Sequence, residues 1–282
     1  MAIASTPTRT EGHLRLRAER VGDRTRLTEL ACRAPLQLLR CHHLDAALPD
    51  MGHATIVSPS GGVLQGDRLE VSVRVGPGAR LRLDTPSAMR LYRMPSAPAQ
   101  QLISLTVEGD GYLAYLPEPT IPFAGSHFSS TTVCRVAEGA ALVLAEVVSA
   151  GRAANGEVHQ FNGYRSVSEL SWLEGDVIAR DATALDPADD LRLPGRLGAF
   201  AALGSLYVVK RRFDPRVLRD AVLETAADGL YAGASRLPGE LGAWLKVLGP
   251  DGPSTAAAIA AGAAAAHRAI TGSAPPTSRR PG

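Results

Sequence analysis

The chain has 282 residues, of which 45% are hydrophobic, and its 30 basic side chains nearly balance 28 acidic ones. A net charge of +2 argues against nucleic acid as a main partner, and a mean hydropathy of zero is typical of a soluble globular protein. The longest apolar tract, residues 256–266, is too short to span about 30 Å of bilayer. Residues 1–10 lack the apolar core of a signal peptide. We therefore expect a cytoplasmic protein without membrane segments.

Composition also predicts the domain organisation. Residues 1–11 and 272–282 are rich in Pro, Ser, Thr and Arg, and are expected to be disordered. Residues 12–271 are expected to form a single β-rich domain, which is large enough to fold without a disulfide or a metal. The three cysteines are far apart and form no C-x-x-C pair, so they are interpreted as reduced thiols.

In chain order, the first two thirds of the sequence show the two-residue alternation of β-strands. Leu69, Val71 and Val73 face one way in a strand predicted over Arg68–Val75, and their neighbours are polar. Similar alternation recurs at residues 14–18, 102–107, 131–136 and 140–148. These patterns predict a mainly β protein.

A weak internal repeat underlies the strands. Val75, Val107 and Val136 each end a predicted strand, and each is followed by a glycine turn and another strand. They are spaced by 32 and 29 residues. Such a period predicts stacked β-hairpin units in a helical β-sheet architecture, although a β-sandwich would give similar spacings.

Near the C-terminus the pattern changes to two α-helices, predicted at residues 215–228 and 254–270. Asp214 and Ser254 are the predicted N-caps. Segments 229–236 and 243–248 between them are predicted to be strands.

The most distinctive segment, residues 58–67, places three glycines before Asp67. Gly61 and Gly66 have the spacing of a phosphate-binding loop, but Asp67 and Arg68 stand where that loop needs Lys and Ser or Thr. We therefore expect no nucleotide binding and interpret Gly61, Gly62 and Gly66 as a structural turn. Asp67 is expected to be partly exposed, so that Asp67→Asn changes stability by no more than about 1 kcal/mol.

Motifs for catalysis or tight metal binding are absent from the sequence. The seven histidines form no H-x-x-x-H or H-x-H pair, and no G-x-S-x-G motif occurs. We therefore predict no tight metal site, no catalytic residue and no enzymatic activity. An alternative is a carbohydrate-active or carbohydrate-binding β-protein, which needs only two carboxylates. Its candidates would be Asp67, Asp84, Glu118 and Glu146, although the chain has only two Trp and six Tyr to wall a sugar site.

Two further groups of polar residues interrupt predicted strands. Glu146 lies in the apolar segment 140–148, where an unpaired charge would be very costly. It is interpreted either as a structural ion pair, with Arg152 as a candidate partner, or as a functional acidic site. Arg90, Tyr92 and Arg93 form a basic and aromatic cluster that is a candidate partner-binding surface, or simply a charged edge strand.

Four segments, taken together and in order, resemble the UreD family of urease accessory proteins, which is also called UreH. They are a Pro-x-Gly-Gly…Gly-Asp turn at 59–69, a Thr/Ser-rich strand ending in Tyr-Arg at 85–93, a Leu-Pro-x-x-x-Ile-x-Phe segment at 116–123, and an acidic strand followed by Gly-Arg and Gly-Glu at 146–157. The resemblance is strong over residues 35–180 and looser elsewhere. One departure is Ala179, which stands where the family has an acidic residue, with Asp181 as a substitute candidate.

The resemblance implies a non-catalytic scaffold or chaperone for the maturation of nickel urease. Family members bind the urease apoprotein and the accessory protein UreF, through which the GTPase UreG is recruited. A polar internal conduit is proposed to pass nickel, which implies transient nickel contact and no tightly bound cofactor. Matched by motif, the conduit candidates here are Asp67, Thr85, Ser87 and Glu146.

Overall fold

The computed structural model describes residues 10–225 and 228–275, which form seventeen strands and two α-helices. The strands, in chain order, are β1 (Glu11–Val21), β2 (Arg24–Arg33), β3 (Gln37–Leu38), β4 (Gly52–Val57), β5 (Arg68–Val75), β6 (Arg80–Asp84), β7 (Met89–Leu91), β8 (Ala99–Val107), β9 (Tyr112–Leu116), β10 (Thr120–Pro122), β11 (His127–Val136), β12 (Ala141–Ser149), β13 (Gly163–Trp172), β14 (Val177–Leu185), β15 (Ala202–Val209), β16 (Tyr231–Arg236) and β17 (Gly242–Gly249). The helices are α1 (Arg216–Glu224) and α2 (Gly252–Thr271). The predicted disordered segments lie largely outside the described residues, which begin at residue 10 and end at residue 275.

Two large sheets face each other. The strand order of the first sheet is β14-β13-β11-β8-β5-β1-β2, and that of the second is β16-β17-β15-β12-β9-β6-β4-β3. The central strands of both sheets are parallel, whereas β2, β14 and the β15–β17–β16 group pair antiparallel. The short strands β7 and β10 pair with each other beside this arrangement. The prediction of a mainly β, stacked architecture is confirmed.

The internal repeat corresponds to the stacking of successive turns of the chain. Val75 of β5 pairs with Val107 of β8, and Val107 pairs with Val136 of β11. The two strands that flank each glycine turn lie in opposite sheets, and each pairs with its equivalent in the next repeat instead of forming a hairpin. A two-residue alternation next to a glycine turn is the same in both arrangements, so the sequence pattern does not distinguish a hairpin from one turn of a solenoid.

The main core lies between the two sheets, on the inward-facing positions of each strand. Leu81, Leu113 and Leu142 occupy neighbouring strands of the second sheet and are fully buried. Each such leucine contributes roughly 1.5–3 kcal/mol of hydrophobic stabilisation. A second core forms where α1 and α2 pack on the outer face of the same sheet, around Leu206 and Ile259. The outer face of the first sheet is largely polar, with Arg15, Glu70 and Arg74 exposed, although Leu102 of β8 is exposed there as well.

The two predicted helices near the C-terminus are confirmed, with shifted ends. Helix α1 ends at Glu224, and residues 226–227 of the predicted helix lie outside the described residues. Helix α2 begins two residues before Ser254, and its N-cap is Asp251, whose carboxylate accepts a hydrogen bond of 2.7 Å from the Ser254 backbone N–H. Ser254 is therefore not the cap, because Asp251 precedes a Pro in the first turn and serves that role. Neither described helix is long and apolar enough to cross a bilayer.

Helix α2 contributes a titratable contact to the second core. His267 is 5% exposed, and its Nδ1 lies 3.1 Å from the hydroxyl of Tyr112 on β9. Burial lowers the pKa of His267 below its usual value of 6.5; the charge of Asp45 opposes this shift, and the charges of Arg82, Arg268 and Arg80 add to it. The folded protein therefore takes up this proton less readily than the unfolded chain does.

The buried histidine predicts a loss of stability in acid. Because its folded-state pKa is lowered, its contribution is present above pH 6.5 and is lost as the pH falls through the lowered value. Urea unfolding at pH 7.5 and at pH 5.5 should show a smaller loss for His267→Gln than for the wild type. An equal loss in both proteins would exclude His267 as the cause.

Candidate functional site: a polar path between the sheets

A cavity of about 400 Å³ separates the two sheets near the glycine turn. Its walls combine apolar side chains such as Val71, Ile103 and Phe128 with oxygen-bearing ones. The polar lining includes Thr85, Ser87, Glu118, Ser130, Glu146 and Ser166. Three of the four conduit candidates, Thr85, Ser87 and Glu146, therefore lie in one cavity, although they are far apart in sequence.

Glu146 is the central polar group of the interior. It projects from β12 of the second sheet towards the first sheet, where three hydroxyls donate to its carboxylate. The Ser168 and Ser166 hydroxyls lie at 3.1 and 3.2 Å, and the Thr132 hydroxyl lies at 3.4 Å. Thr132 lies on β11, and Ser166 and Ser168 lie two residues apart on β13, so the two-residue strand period directs all three hydroxyls to the inner face.

The surroundings of Glu146 oppose its ionisation. Burial raises the pKa of the Glu146 carboxyl, and nearby Asp181 adds to this, while hydrogen bonds from Ser168 and Ser166 and the positive charge of Lys246 act against it. The carboxylate is thus poorly solvated but is surrounded by groups that favour its charged form. Such a group can accept a proton or a cation readily, and its perturbed pKa marks it as a functional candidate.

A second polar cluster continues from Glu146 to the far end of the sheets. Lys246 of β17 contacts the carboxylate of Asp181 on β14, and its Nζ lies 2.7 Å from the hydroxyl of Ser205. Tyr207 donates its hydroxyl to the same carboxylate. A void of about 10 Å³, lined by both Glu146 and Ser205, lies next to the larger cavity and shares Glu146 and Ser166 with it. It has room for about one water molecule.

Thr85 and Ser87 lie at the outer end of the cavity. Thr85 is half-buried, and its hydroxyl accepts a 2.8 Å hydrogen bond from the Glu118 backbone N–H. Ser87 is exposed. Both residues lie on the loop that joins β6 to β7, so the cavity opens to solvent on the side of this loop.

Asp67 has a different environment from the one expected. It is 4% exposed rather than partly exposed, and its carboxylate accepts hydrogen bonds from backbone N–H groups of Leu64 at 2.9 Å and Thr10 at 3.3 Å. These contacts close the glycine turn and anchor the start of β1. The geometry favours a structural role for Asp67 over a place on the polar path.

We accordingly expect Asp67→Asn to destabilise the protein by about 1–3 kcal/mol. An amide presents one oxygen, so one of the two N–H donors would lose its acceptor or face the Asn NH₂ group. Chemical denaturation of the variant measures this cost. A change below about 0.5 kcal/mol would show that these hydrogen bonds contribute little.

The glycines and the basic cluster meet beside this turn. Gly61 and Gly66 have φ values of 77° and 74°, which favour glycine. A Cβ at Gly62 would lie 2.6 Å from the backbone oxygen of Arg90, so this position needs a glycine for close approach.

In the neighbouring basic cluster, Tyr92 packs edge-on against the ring of Phe123, with 5.2 Å between centroids, whereas Arg90 and Arg93 are exposed. The two arginines are thus accessible to a partner, and Tyr92 is largely occupied within the chain.

Arg152, the candidate partner for an ion pair with Glu146, pairs with a different residue. Arg152 forms an ion pair with Glu157, with its Nε 2.9 Å from the carboxylate, and lies over the Phe123 ring. The sheet directs Glu146 inward, whereas Arg152 lies beyond the end of β12, where the chain has left the sheet. The local sequence suggests the pairing only because the two residues are close along the chain.

Sequence reasoning missed the contribution of Lys246, Tyr207 and the hydroxyls of β13. Lys246 carries the same signal as Glu146, a charge within an apolar strand, and this signal could have identified it. Ala179, which stands at the expected acidic position, faces inward on β14 and packs against the main core. Asp181 faces the same side two residues later, and so supplies a carboxylate to the interior at a shifted position.

The chemistry of the path is that of weak oxygen ligands. Among residues 10–225 and 228–275, no group of three or more His, Cys, Asp and Glu side chains is arranged to hold a metal ion. Of the four carboxylates considered for a sugar site, Glu118 and Glu146 line the cavity, whereas Asp84 binds His53 with 2.7 Å between the carboxylate and Nε2. The structure thus defines a class of protein, a β-solenoid with an oxygen-lined cavity between its two sheets.

Comparison with known proteins identifies the family. The family model described as "UreD urease accessory protein" matches residues 10–281. A urease accessory protein UreD 2 of Streptomyces griseus is 36% identical over 266 residues, which cover 92% of this chain and 90% of that protein. UreD of Photorhabdus laumondii is 32% identical, with 88% and 79% covered, and UreD of Haloarcula marismortui is 36% identical, with 85% and 80% covered. The chain belongs to the UreD family of urease accessory proteins.

Proposed function

We propose that the protein is a urease maturation scaffold that helps to pass nickel to the urease active site through its polar interior. Membership of a family of urease accessory proteins supports the role in urease maturation. The observation that carries the finer proposal is the position of Glu146, which lines both the cavity and the small void and pairs across the sheet with Ser205 of the Asp181 cluster. The family assignment takes precedence over the carbohydrate-active alternative.

The chemistry of the path supports transfer rather than storage. Nickel, as the cargo, would meet hydroxyls and single carboxylates, whose contacts are weak and exchange quickly, whereas a cage of Cys and His would retain the ion. Thr85 and Ser87 lie at one end, and Asp181 lies beyond Glu146. The side chains of this protein would therefore bind and release the nickel ion without any covalent reaction. We accordingly propose no enzymatic activity and no tightly bound cofactor.

The partners follow from this role. We propose that the protein binds the urease apoprotein and a UreF-like protein, which recruits a UreG-like GTPase, in the cytoplasm. The exposed Arg90 and Arg93 are the candidate contact residues, because Arg90 lines the cavity and Arg93 follows it on the same segment. Neither nucleic acid nor a membrane is proposed as a partner.

The proposal is tested by expressing the urease subunits and all accessory proteins at limiting nickel, with and without this chain. We expect urease nickel content and activity to depend on the chain, and we expect it to copurify with the apoprotein and the UreF-like partner. Full nickel loading without the chain would contradict the proposal. Copurification without any effect on loading would support a scaffold and reject the nickel path.

A further inference from the structure

The polar path already contains a positively charged side chain of this protein, that of Lys246. Lys246 is one of only two lysines in the sequence, yet it lies at the inner face of β17. Its side chain is 27% exposed, and the Asp181 carboxylate that it contacts is 21% exposed. A lysine in an otherwise apolar strand, facing the interior, needs a reason beyond surface solubility.

The ammonium group occupies a well-defined binding site. Asp181 supplies a charged oxygen, and the Ser205 hydroxyl lies 2.7 Å from Nζ. The rings of Tyr207 and Trp244 flank Nζ, with centroids at 5.8 and 5.6 Å. Aromatic faces and oxygen atoms together are the groups that bind cations in proteins.

This site is close to Glu146 through the register of the sheet. Glu146 pairs with Ser205 across β12 and β15, and Ser205 pairs with Lys246 across β15 and β17. The three residues thus form one row on the inner face, and adjacent strands are about 4.8 Å apart. The influence of Lys246 and Asp181 on the pKa of Glu146 agrees with this proximity.

We infer that Lys246 is a resident cation that keeps the Asp181 part of the polar path from retaining a divalent metal ion. The ammonium group neutralises Asp181 and repels a second cation near Glu146, so an ion that enters this segment is bound weakly and leaves. This inference deepens the proposed nickel path and names the residue that sets its affinity. It assigns Lys246 a positioning role and no covalent chemistry.

The inference predicts that removing the charge creates a tighter metal site. In the purified full-length chain, Lys246→Met should lower the dissociation constant for Ni²⁺ by about tenfold or more, because repulsion between a single and a double charge a few ångströms apart is lost. Lys246→Arg keeps the charge and should bind as the wild type does. Lys210→Met is the matched control, since the Nζ of Lys210 donates to the backbone oxygen of Gly139 at 3.1 Å and lies away from Asp181.

Isothermal titration calorimetry with Ni²⁺, at matched pH and with thermal unfolding recorded for each variant, measures these affinities. The double variant Lys246→Met with Asp181→Asn should return to wild-type affinity. If Lys246→Met binds no tighter than the wild type, or if the tightening survives the loss of the Asp181 charge, the inference is wrong. If wild-type binding is too weak to measure, the highest Ni²⁺ concentration used gives a lower limit for its dissociation constant, and the variants are compared with that limit.

Urease activation assays distinguish a failure of this inference from a failure of the proposed path. At limiting nickel, Lys246→Met should slow activation because the ion is retained, while Lys246→Arg should not. If Glu146→Gln has no effect on activation, the path itself fails, whatever Lys246 binds. If Glu146→Gln abolishes activation and Lys246→Met neither tightens binding nor slows activation, the path stands and the role of Lys246 is rejected.

Discussion

Glu146→Gln is expected to lower nickel-dependent activation of urease by about tenfold or more, without loss of the accessory complex. The Glu146 carboxyl lines both the cavity and the small void beside it, and an uncharged amide binds a divalent cation far more weakly than a carboxylate does. Changes at single ligand-supporting groups commonly cost 10–100-fold in metal affinity or activity. The assay is urease activity at limiting nickel after co-expression with the complete accessory set.

The variant should remain folded. Its amide oxygen can still accept from Ser168, and its NH₂ group can donate to the Ser166 hydroxyl. Because burial raises the folded-state pKa of Glu146, the stability that the wild type has at low pH is lost as the pH rises through that value. Glu146→Gln should therefore gain stability relative to wild type as the pH rises above the ordinary glutamate value of 4.5.

A matched control is Glu169→Gln, which changes the same side chain on the outer face of β13, where Glu169 pairs with Arg180 at 3.2 Å. It should activate urease as the wild type does. Wild-type activation by Glu146→Gln would remove Glu146 from the mechanism. Loss of the complex together with activity would assign it to the fold or to an interface.

Gly242→Ala is expected to destabilise the protein by about 3 kcal/mol or more, the largest stability effect that we predict for a single methyl group. Gly242 begins β17 with φ at 153°, a conformation that side chains disfavour. An added Cβ would lie 1.9 Å from the backbone oxygen of Val208 and 3.0 Å from the Lys210 nitrogen. Backbone atoms on both sides leave no side chain free to move away.

The consequence reaches the polar path, because β17 carries Lys246. Relief of the clash requires β17 to separate from β15 at the Val209–Gly242 pair, and this would weaken the whole strand pairing. Gly233→Ala on neighbouring β16 is the control, since an added Cβ there meets nothing within 4 Å. Denaturant unfolding should show a change within about 0.5 kcal/mol for the control. Equal stability of both variants would contradict this account of Gly242.

The sequence supports the stacked β architecture because its signal is local. Apolar alternation and glycine turns recur at the spacings that place Val75, Val107 and Val136 in register. The partner of each strand is decided instead by contacts about thirty residues away, which the local pattern does not contain. For this reason the pattern predicted hairpins where the chain forms solenoid turns.

The candidate site likewise combines features that the local sequence indicates with contacts that only the fold creates. Glu146 could be identified from the sequence because a charge interrupts an apolar strand, and Thr85 and Ser87 were identified from the family resemblance. The contact between Lys246 and Asp181 joins opposite sheets across 65 residues, and no local spacing encodes it. Asp67 was given a place on the path from its motif alone, and only the fold reveals the two backbone donors that it accepts from.

The most direct test of the central claim is to block the interior without changing a charge. Ser166 lines both the cavity and the small void beside Glu146, so Ser166→Leu should close the connection between them. Ser104→Leu on the outer face of the same sheet is the control. We predict that urease matured with Ser166→Leu copurifies with the full complex but contains less than about a tenth of the wild-type nickel, whereas Ser104→Leu gives normal loading. Normal nickel content with Ser166→Leu, in an intact complex, would contradict transfer through this interior.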